Sequence, residues 1–456
     1  MALLLAAIFG GQACAQPAGR QSFIVVRDAE TETLLRNIAN PLFRAAGVDP
    51  GLVRITLLRD DAINSFVSTG NRMFINTGLI SGANSVGELV GVIAHETGHI
   101  RSGHLARLPE AMQEAMLETI AATLFGAAAV LGSSQTRTRS PYRDNSIGDA
   151  GIGAMLGGQH LAIRNFLSFT RTIEAAADQG AVQFLDRLHW PAQGMLDLFR
   201  RLEHETVLTT EMQDPYLQTH PLNRSRIDFV THHLSVSPYA KATLPAGFEP
   251  TFLMVRAKLQ GFLAPSSHTL ARLKSDDPSA PARYARAIAL YRLGHTDDAI
   301  RLIDGLIVEQ PGKPWLHELK GQVLFEGGRG AQALVPYREA VRLAPEQSQI
   351  RAALARALIE TGDRAQLRPA IAELQSALAR EADDQESWRA LGTAWGRLGD
   401  LGQANLALAE EAMILGDIPR ANILAGKAEK LLPAGQARMR ASDISNAVKR
   451  ENRKGF

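Results

Sequence analysis

The sequence predicts a mostly helical α+β chain, in which a first domain with a small β-hairpin or sheet precedes an all-α solenoid of repeats. Three observations carry this expectation. His95-Glu96-Thr97-Gly98-His99 lies at the end of an apolar run of helical character, and two short apolar segments flank Thr69-Gly70-Asn71-Arg72. From about residue 280 the chain repeats itself every 34 residues.

The first domain is read element by element. Residues 29–47 place Leu34, Leu35, Ile38, Leu42 and Phe43 on one helical face. Val53–Arg59 alternates, with Val53, Ile55 and Leu57 on one side, as a strand does. Asn64–Ser68 and Met73–Ile75 form the arms of a hairpin closed by residues 69–72. Ser85 and Glu88 have capping-box spacing just before Leu89, Val90, Val92 and Ile93. A helix therefore starts there and contains both His95 and His99. The uncharged stretch Thr119–Gly132 reads as a core helix, with a surface helix touching membrane or substrate as the alternative. Residues 133–158 are rich in Ser, Arg, Thr and Gly and read as a loop, either a lid over a cleft or an inert insertion.

The repeats carry their own signature. Tyr291, Gly294, Ala299 and Pro311 recur as Phe325, Gly328, Ala333 and Pro345, and Gly362 continues the glycine series. An aromatic and Gly closing one helix, Ala in the next and Pro at the end is the tetratricopeptide pattern. Leu398-Gly399-Asp400, Leu415-Gly416-Asp417 and Leu432-Pro433 read as later, drifting units. About four helix pairs fit into residues 280–433, and their stacking creates a concave surface. The mildly basic end from Arg438 reads as a solvated tail.

Composition excludes some classes of function. Lys and Arg total 49 against 47 Asp and Glu, a net charge of +2, which gives no electrostatic reason to expect nucleic acid as a partner. No apolar run reaches the length of a membrane-spanning helix. Residues 2–9 are apolar and Ala13-Cys14-Ala15 fits a small-residue cleavage site, so residues 1–15 read as a signal peptide, though without a basic residue before the apolar core. A buried amino-terminal strand or helix is the alternative. A lipoprotein anchored at Cys14 fits less well, because Gly11-Gln12-Ala13 lacks the usual apolar residue. Cys14 is the single cysteine, so a chain cleaved after Ala15 has no disulfide or thiol chemistry.

The motif carries the chemistry. On a helix, His95 and His99 stand one turn apart on the same face, so both imidazoles reach one cation. Glu96 stands beside them, placed to act as general base on an attacking water and to return the proton to a leaving amine. A zinc site needs a third ligand. His104 faces a different side of the helix, and no metzincin spacing follows His99. Glu174, in Arg171-Thr172-Ile173-Glu174-Ala175-Ala176-Ala177-Asp178, is the better candidate. Asp178, one turn later, is placed to accept a hydrogen bond from a ligating imidazole. A solvated acidic pair on a surface helix is the alternative that spacing alone leaves open.

His95-Glu96-Thr97-Gly98-His99-Ile100 followed by Glu174-x-x-x-Asp178 resembles the gluzincin peptidases related to HtpX and the CAAX prenyl proteases. The periplasmic BepA/YfgC-like members, which join such a peptidase to tetratricopeptide repeats, are the most similar. Asn64-Ser65-Phe66, Gly70–Ile80 and Thr219-His220-Pro221 extend the resemblance over residues 29–235. It implies one Zn2+ per chain held by His95, His99 and Glu174, with Glu96 as general base and Asp178 behind a ligand. It implies that an extended substrate pairs with the hairpin strand, against Phe66, Met73, Phe74 and Ile75. It implies two alternative roles for His220, as occupant of the fourth zinc position or as a catalytic group stabilising the oxyanion. Arg224 and Arg226 are further oxyanion candidates, or else pair with surface acids. Ala175–Ala177 replaces a more acidic spacer.

The resulting expectation is a signal peptide at 1–15, a zinc metallopeptidase domain at 16–265, a tetratricopeptide domain at 266–435 and a basic tail at 436–456. The resemblance implies a periplasmic endopeptidase acting on unfolded or misassembled envelope proteins. Its repeats would contact the outer-membrane β-barrel assembly machinery, and peripheral membrane contact stays open. The rivals are a chaperone or assembly scaffold with a normally latent site, and a cytoplasmic peptidase with a helical arm.

Overall fold

The structure, a computed structural model, describes residues 24–103, 170–208, 220–274 and 277–454. The signal segment, His104, Thr119–Gly132, the loop at 133–158 and Thr219 lie outside the described residues.

The first helix, α1 (Ala29–Ala45), is capped by Asp28, whose carboxylate accepts from the Thr31 N–H. Leu34, Leu35, Ile38, Leu42 and Phe43 are all buried, as their spacing predicts. The sheet has four strands: β1 (Val25–Val26), β2 (Arg54–Leu58), β3 (Ser65–Ser68) and β4 (Arg72–Asn76), in the order β1-β2-β4-β3. β2 and β4 run parallel, with Ile55 opposite Met73, whereas β3 and β4 form the expected hairpin, with Phe66 opposite Phe74. Gly70 and Asn71 both have positive φ, which lets so short a turn close. The outer strands are thus β1 at one edge and β3 at the other.

After the short α2 (Thr77–Gly82) comes α3 (Val86–Ser102), which carries His95 to His99. Its start differs from the expected capping box. Ser85 is the N-cap residue, yet its side chain makes no cap hydrogen bond. Glu88 accepts instead from the Asn84 N–H and from Arg201 at 2.6 Å. The Val86 N–H donates to Glu249, from far along the chain. The guanidinium claims the Glu88 carboxylate, so the helix start is satisfied from outside. Helices α4 (170–187) and α5 (Gln193–Leu208) pack on α3. Gly194 of α5 fits against Gly87 so closely that a Cβ there would stand 2.1 Å from the Gly87 carbonyl carbon. Beyond them follow α6 (Arg224–Val236), α7 (Phe248–Leu263) and α8 (Ser266–Arg272).

The array runs through the pairs α9/α10 (Ala280–Arg292, Thr296–Glu309), α11/α12 (Pro314–Glu326, Gly330–Leu343), α13/α14 (Ser348–Glu360, Leu367–Leu378) and α15/α16 (Gln385–Leu398, Leu401–Ile414). Gly294, Gly328, Gly362 and Gly399 end the first helix of each pair in the left-handed region, the conformation for which the period keeps glycine. The last elements are α17 (Ile418–Leu431) and α18 (Gln436–Lys454). The solvated tail expected from residue 436 is therefore a helix. It buries Ala441 and Ile444 against the preceding pair, and Arg440 pairs with Glu410. Its sparse apolar residues hide this capping role. Among the described residues, no helix is long and apolar enough to cross a membrane.

The array folds back onto the first domain. Helix α7 gives Phe252, Val255 and Leu259 to the first core and Ala257 to the first repeat. On the same helix, buried Lys258 pairs with Asp28, lies 3.4 Å from Glu30 and 4.0 Å from Glu318, while the Tyr284 hydroxyl donates to Glu30 at 2.9 Å. Arg27 reaches Glu381 at 2.6 Å and Arg54 reaches Asp383 at 2.9 Å. Replacing Lys258 with Met keeps most of its volume but leaves Asp28 and Glu30 buried without a cation. Urea denaturation is expected to show a loss of about 3–5 kcal/mol.

Candidate metal centre

Helix α3 presents His95 and His99 one turn apart, both buried, and α4 presents Glu174 and Asp178 in the same way. Gly98 determines how near the two helices come. A Cβ at Gly98 would stand 2.6 Å from the Ala177 carbonyl oxygen, so only glycine allows this approach. The His220 side chain enters from the loop before α6 and is also buried.

The donor atoms of these four residues converge. His95 Nε2 is 3.1 Å from His99 Nε2 and 3.3 Å from His220 Nδ1. Glu174 reaches His95 at 3.3 Å, His99 at 3.4 Å and His220 at 3.2 Å. One ligand atom from each lies within 4.8 Å of all the others. Tetrahedral zinc with arms of about 2.0–2.1 Å implies ligand-to-ligand edges of about 3.4 Å, which these distances approach.

Tautomers point the same way. The Asp178 carboxylate accepts from His95 Nδ1–H at 2.8 Å, which leaves the Nε2 lone pair facing the cluster. The Ser65 carbonyl can only accept, so His220 Nε2 donates to it at 3.2 Å and Nδ1 presents a lone pair. Lone pairs this close repel unless a cation sits among them. Charge agrees: Glu96, Glu174 and Asp178 are three buried carboxylates, and among the described residues Arg226 is the guanidinium beside them. With neutral imidazoles the sum is −2, which a divalent ion balances. The residues therefore fit zinc, the metal of this peptidase class.

Arg226 is the residue that sequence reasoning placed wrongly. It is buried, its Nε and Nη2 donate to the two Asp178 oxygens at 2.6 and 2.9 Å, its Nη1 lies 2.9 Å from Glu174, and its guanidinium lies over the Phe199 ring. It thus stands behind the carboxylates and is not an oxyanion donor. Arg224 is not one either: its side chain is 76% exposed and pairs with Glu203 and Asp228. Met73 and Ile75 are fully buried on the core face of β4, so they offer a substrate no surface. Phe66 and Phe74 stack on the opposite face, ring centres 5.0 Å apart. Just before β3, Asn64 pairs with Asn76 through the Asn76 N–H and the Asn64 carbonyl, so the backbone of the next residue, Ser65, points to the open edge. The Ser65 carbonyl that His220 occupies is therefore an edge acceptor.

Burial and neighbours set the protonation states. Burial opposes a charge on His95, but hydrogen bonds to Asp178 and Glu174 outweigh it and push its pKa up to about 9. Burial lowers that of His99 to about 3. Burial also works against the Asp178 and Glu174 carboxylates. Arg226 and His95 hold Asp178 below the usual range, and hydrogen bonds from the three imidazoles do the same for Glu174. Burial raises Glu96.

A buried two-histidine, one-glutamate cluster on an HExxH helix, joined to helical repeats, defines a metallopeptidase with a tetratricopeptide arm. More particularly, residues 29–234 match the model of Peptidase family M48, and residues 310–410 match a tetratricopeptide repeat model. The chain is 26% identical over 80% of its length, and 72% of the relative's, to the Beta-barrel assembly-enhancing protease of Yersinia pestis. To the protein of that name in Escherichia coli K12 it is 24% identical over 83% of its length and 74% of the relative's. It is also similar to a Protease HtpX homolog of Acidiphilium cryptum, 33% identical over 30% of this chain and 45% of that one.

Two outcomes follow for metal binding. A proton on His95 competes with zinc below pH about 9, and the raised pKa means that binding releases that proton. Zinc affinity, titrated with a competing chelator, is expected to rise about tenfold per pH unit from 7 towards 9 and then level off. Gly98→Ala forces α4 away and is expected to cost at least about tenfold in zinc affinity in the same titration, by analogy with losses seen when the groups that orient ligands are removed.

Proposed function

We propose that the chain is an exported zinc endopeptidase of the bacterial cell envelope. In this reading it degrades misfolded or stalled outer-membrane proteins in the periplasm, assists their assembly, and uses its repeats to contact the β-barrel assembly machinery. The catalytic part rests on one observation: four buried donor groups that converge within 4.8 Å of one another, with Glu96 beside them. The cellular part rests on the likeness to the two proteins called Beta-barrel assembly-enhancing protease. The peptidase and repeat units are assigned to residues 16–265 and 266–435.

His95, His99 and Glu174 hold the zinc ion, and Asp178 fixes the His95 tautomer. When bound, zinc supplies a Lewis acid that polarises the scissile carbonyl. Among the described residues neither Glu96 oxygen has a hydrogen-bond partner, and His220 Nε2 stands 3.3 Å from one of them. Burial raises the basicity of Glu96, which favours taking a proton from a water molecule. Glu96 accepts the proton of the attacking water and delivers it to the leaving amine. An extended substrate pairs with the open edge of β3, beside Phe66 and Phe74.

His220 supports a second, compatible reading as a chaperone or scaffold with a latent site. Its Nδ1 faces the fourth position, and its Nε2–H takes the Ser65 carbonyl on the strand edge. One side chain thereby blocks both the water's place and a pairing site of the substrate.

Glu96→Gln is expected to lower hydrolysis of an unfolded substrate such as casein by about 10²–10⁴-fold while zinc content by mass spectrometry is unchanged. Undiminished cleavage sinks the mechanism. His220→Ala is expected to raise hydrolysis, and an unaltered rate removes His220 as a plug.

A further inference from the structure

The concave side of the array meets the first domain at a groove of about 650 Å³ that the peptidase chemistry does not use. Its walls come from the repeats, and one rim is β1, through Val25 and Arg27. Two independent features of this groove point to an occupant.

The first is charge. Glu318, Glu326, Asp383, Asp384 and Glu386 line it, against Arg27 and Arg356. Arg27 is already engaged by Glu32 and Glu381. Glu318 lies deep, with one carboxylate oxygen buried and lacking a hydrogen-bond donor, and Lys258 stands 4.0 Å away on the domain side. Burial pushes the Glu318 pKa up to about 7, against the lowering effect of Lys258. The second feature is backbone. The Arg59 N–H donates to the Ile24 carbonyl, and β1 is antiparallel to β2 with Val25 opposite Leu58. Hydrogen-bonded and non-bonded pairs alternate in such a ladder, so the N–H and C=O of Val25 point away from β2. Val25 is half exposed and lines the groove. The groove therefore combines an acidic wall with an open strand edge.

We propose that this groove docks an extended, cationic polypeptide segment that pairs with β1 while its Lys and Arg side chains face the acidic wall of the repeats. The edge supplies main-chain hydrogen bonds and the wall supplies selectivity by charge. This deepens the reading of the repeats as a docking module and rests on it. It also separates the two edges of the sheet: β3 lies beside the zinc ligands, and β1 lies in the groove.

The test uses the full-length Glu96→Gln protein and three fluorescent peptides, alternating Lys/Val, Glu/Val and Lys/Pro, followed by anisotropy. The Lys/Val peptide is expected to bind at least about tenfold more tightly than Glu/Val, and the preference to shrink in high salt. Lys/Pro lacks the alternate N–H groups needed for strand pairing and is expected to bind at least about tenfold more weakly than Lys/Val. Glu326→Lys with Glu386→Lys is expected to reverse the preference for Lys over Glu. Val25→Pro removes one outward N–H and is expected to weaken Lys/Val binding, whereas Val25→Thr preserves it. Thermal unfolding checks that each variant is folded, and the peptide comparison on the parent protein needs no further variant. Equal binding of Lys/Val and Glu/Val, equal binding of Lys/Val and Lys/Pro, or binding untouched by the charge reversal each overturns the proposal. Casein hydrolysis by the wild-type protein is a separate readout, so a failed groove leaves the peptidase reading standing.

Discussion

The amino-terminal unit depends on a charge balance held away from water. Glu96, Glu174 and Asp178 are buried together, and Arg226 neutralises one of the three. Leaving the remainder unpaired in a protein interior would cost several kcal/mol per charge. The local geometry makes sense around a dication: imidazole tautomers are set by Asp178 and Ser65 so that lone pairs face inward, and the four donor groups converge within 4.8 Å. The protonated state of His95 is the metal-free substitute for that balance. The same interaction thus orders the site, couples it to pH and makes it selective for a divalent ion.

That balance requires elements distant in sequence to close on one another. Gly98 lets α4 approach α3, and Gly194 lets α5 approach from another side. The N-terminus of α3 is satisfied by Glu249 of α7, and α7 also carries Lys258, which gathers Asp28, Glu30 and Glu318. The metal-bearing helix is therefore one helix away from the repeats. Helix α7 holds the start of α3 through Glu249 on the Val86 N–H, through Arg256 on the Ala83 carbonyl, and through a shared core. This contiguous route is a physical connection between groove and cleft.

What was legible in the sequence was local. His95 and His99 at i and i+4, the 34-residue glycine series and the turn at Gly70-Asn71 are patterns that the backbone itself imposes. Glu174 and Asp178 were legible as a pair, but only α3 packing makes them buried. Arg226 was misread because nothing in Asn223-Arg224-Ser225-Arg226 distinguishes a buried guanidinium from an exposed one; Arg224, two residues earlier, is exposed. Met73 and Ile75 were misread because alternation separates two faces of a strand without saying which faces the core. Glu88 lost its capping role to Arg201, a partner more than a hundred positions away. The end of the chain concealed a helix because Ala441 and Ile444 are too few to form a visible stripe.

The placement of His220 also constrains how the site can open. In the proposed reading, its ring leaves both the metal cluster and the Ser65 carbonyl before a substrate strand pairs with β3. Two routes exist: withdrawal of the whole loop, or rotation of the side chain about a fixed backbone. Arg226 discriminates between them. Its guanidinium donates to the carbonyls of His220 and Pro221 while bound to both Asp178 oxygens. Asn223 caps α6 by accepting from the Arg226 N–H, which ties the loop's other end. Withdrawal of the loop breaks contacts made by a buried guanidinium and disturbs the carboxylate that orients His95. Rotation of the ring forfeits only the ring's own contacts, and the edge acceptor it vacates is one that an arriving substrate N–H can satisfy. The geometry therefore favours a swinging side chain on a fixed loop, with the substrate's own strand pairing compensating for the hydrogen bond that His220 gives up.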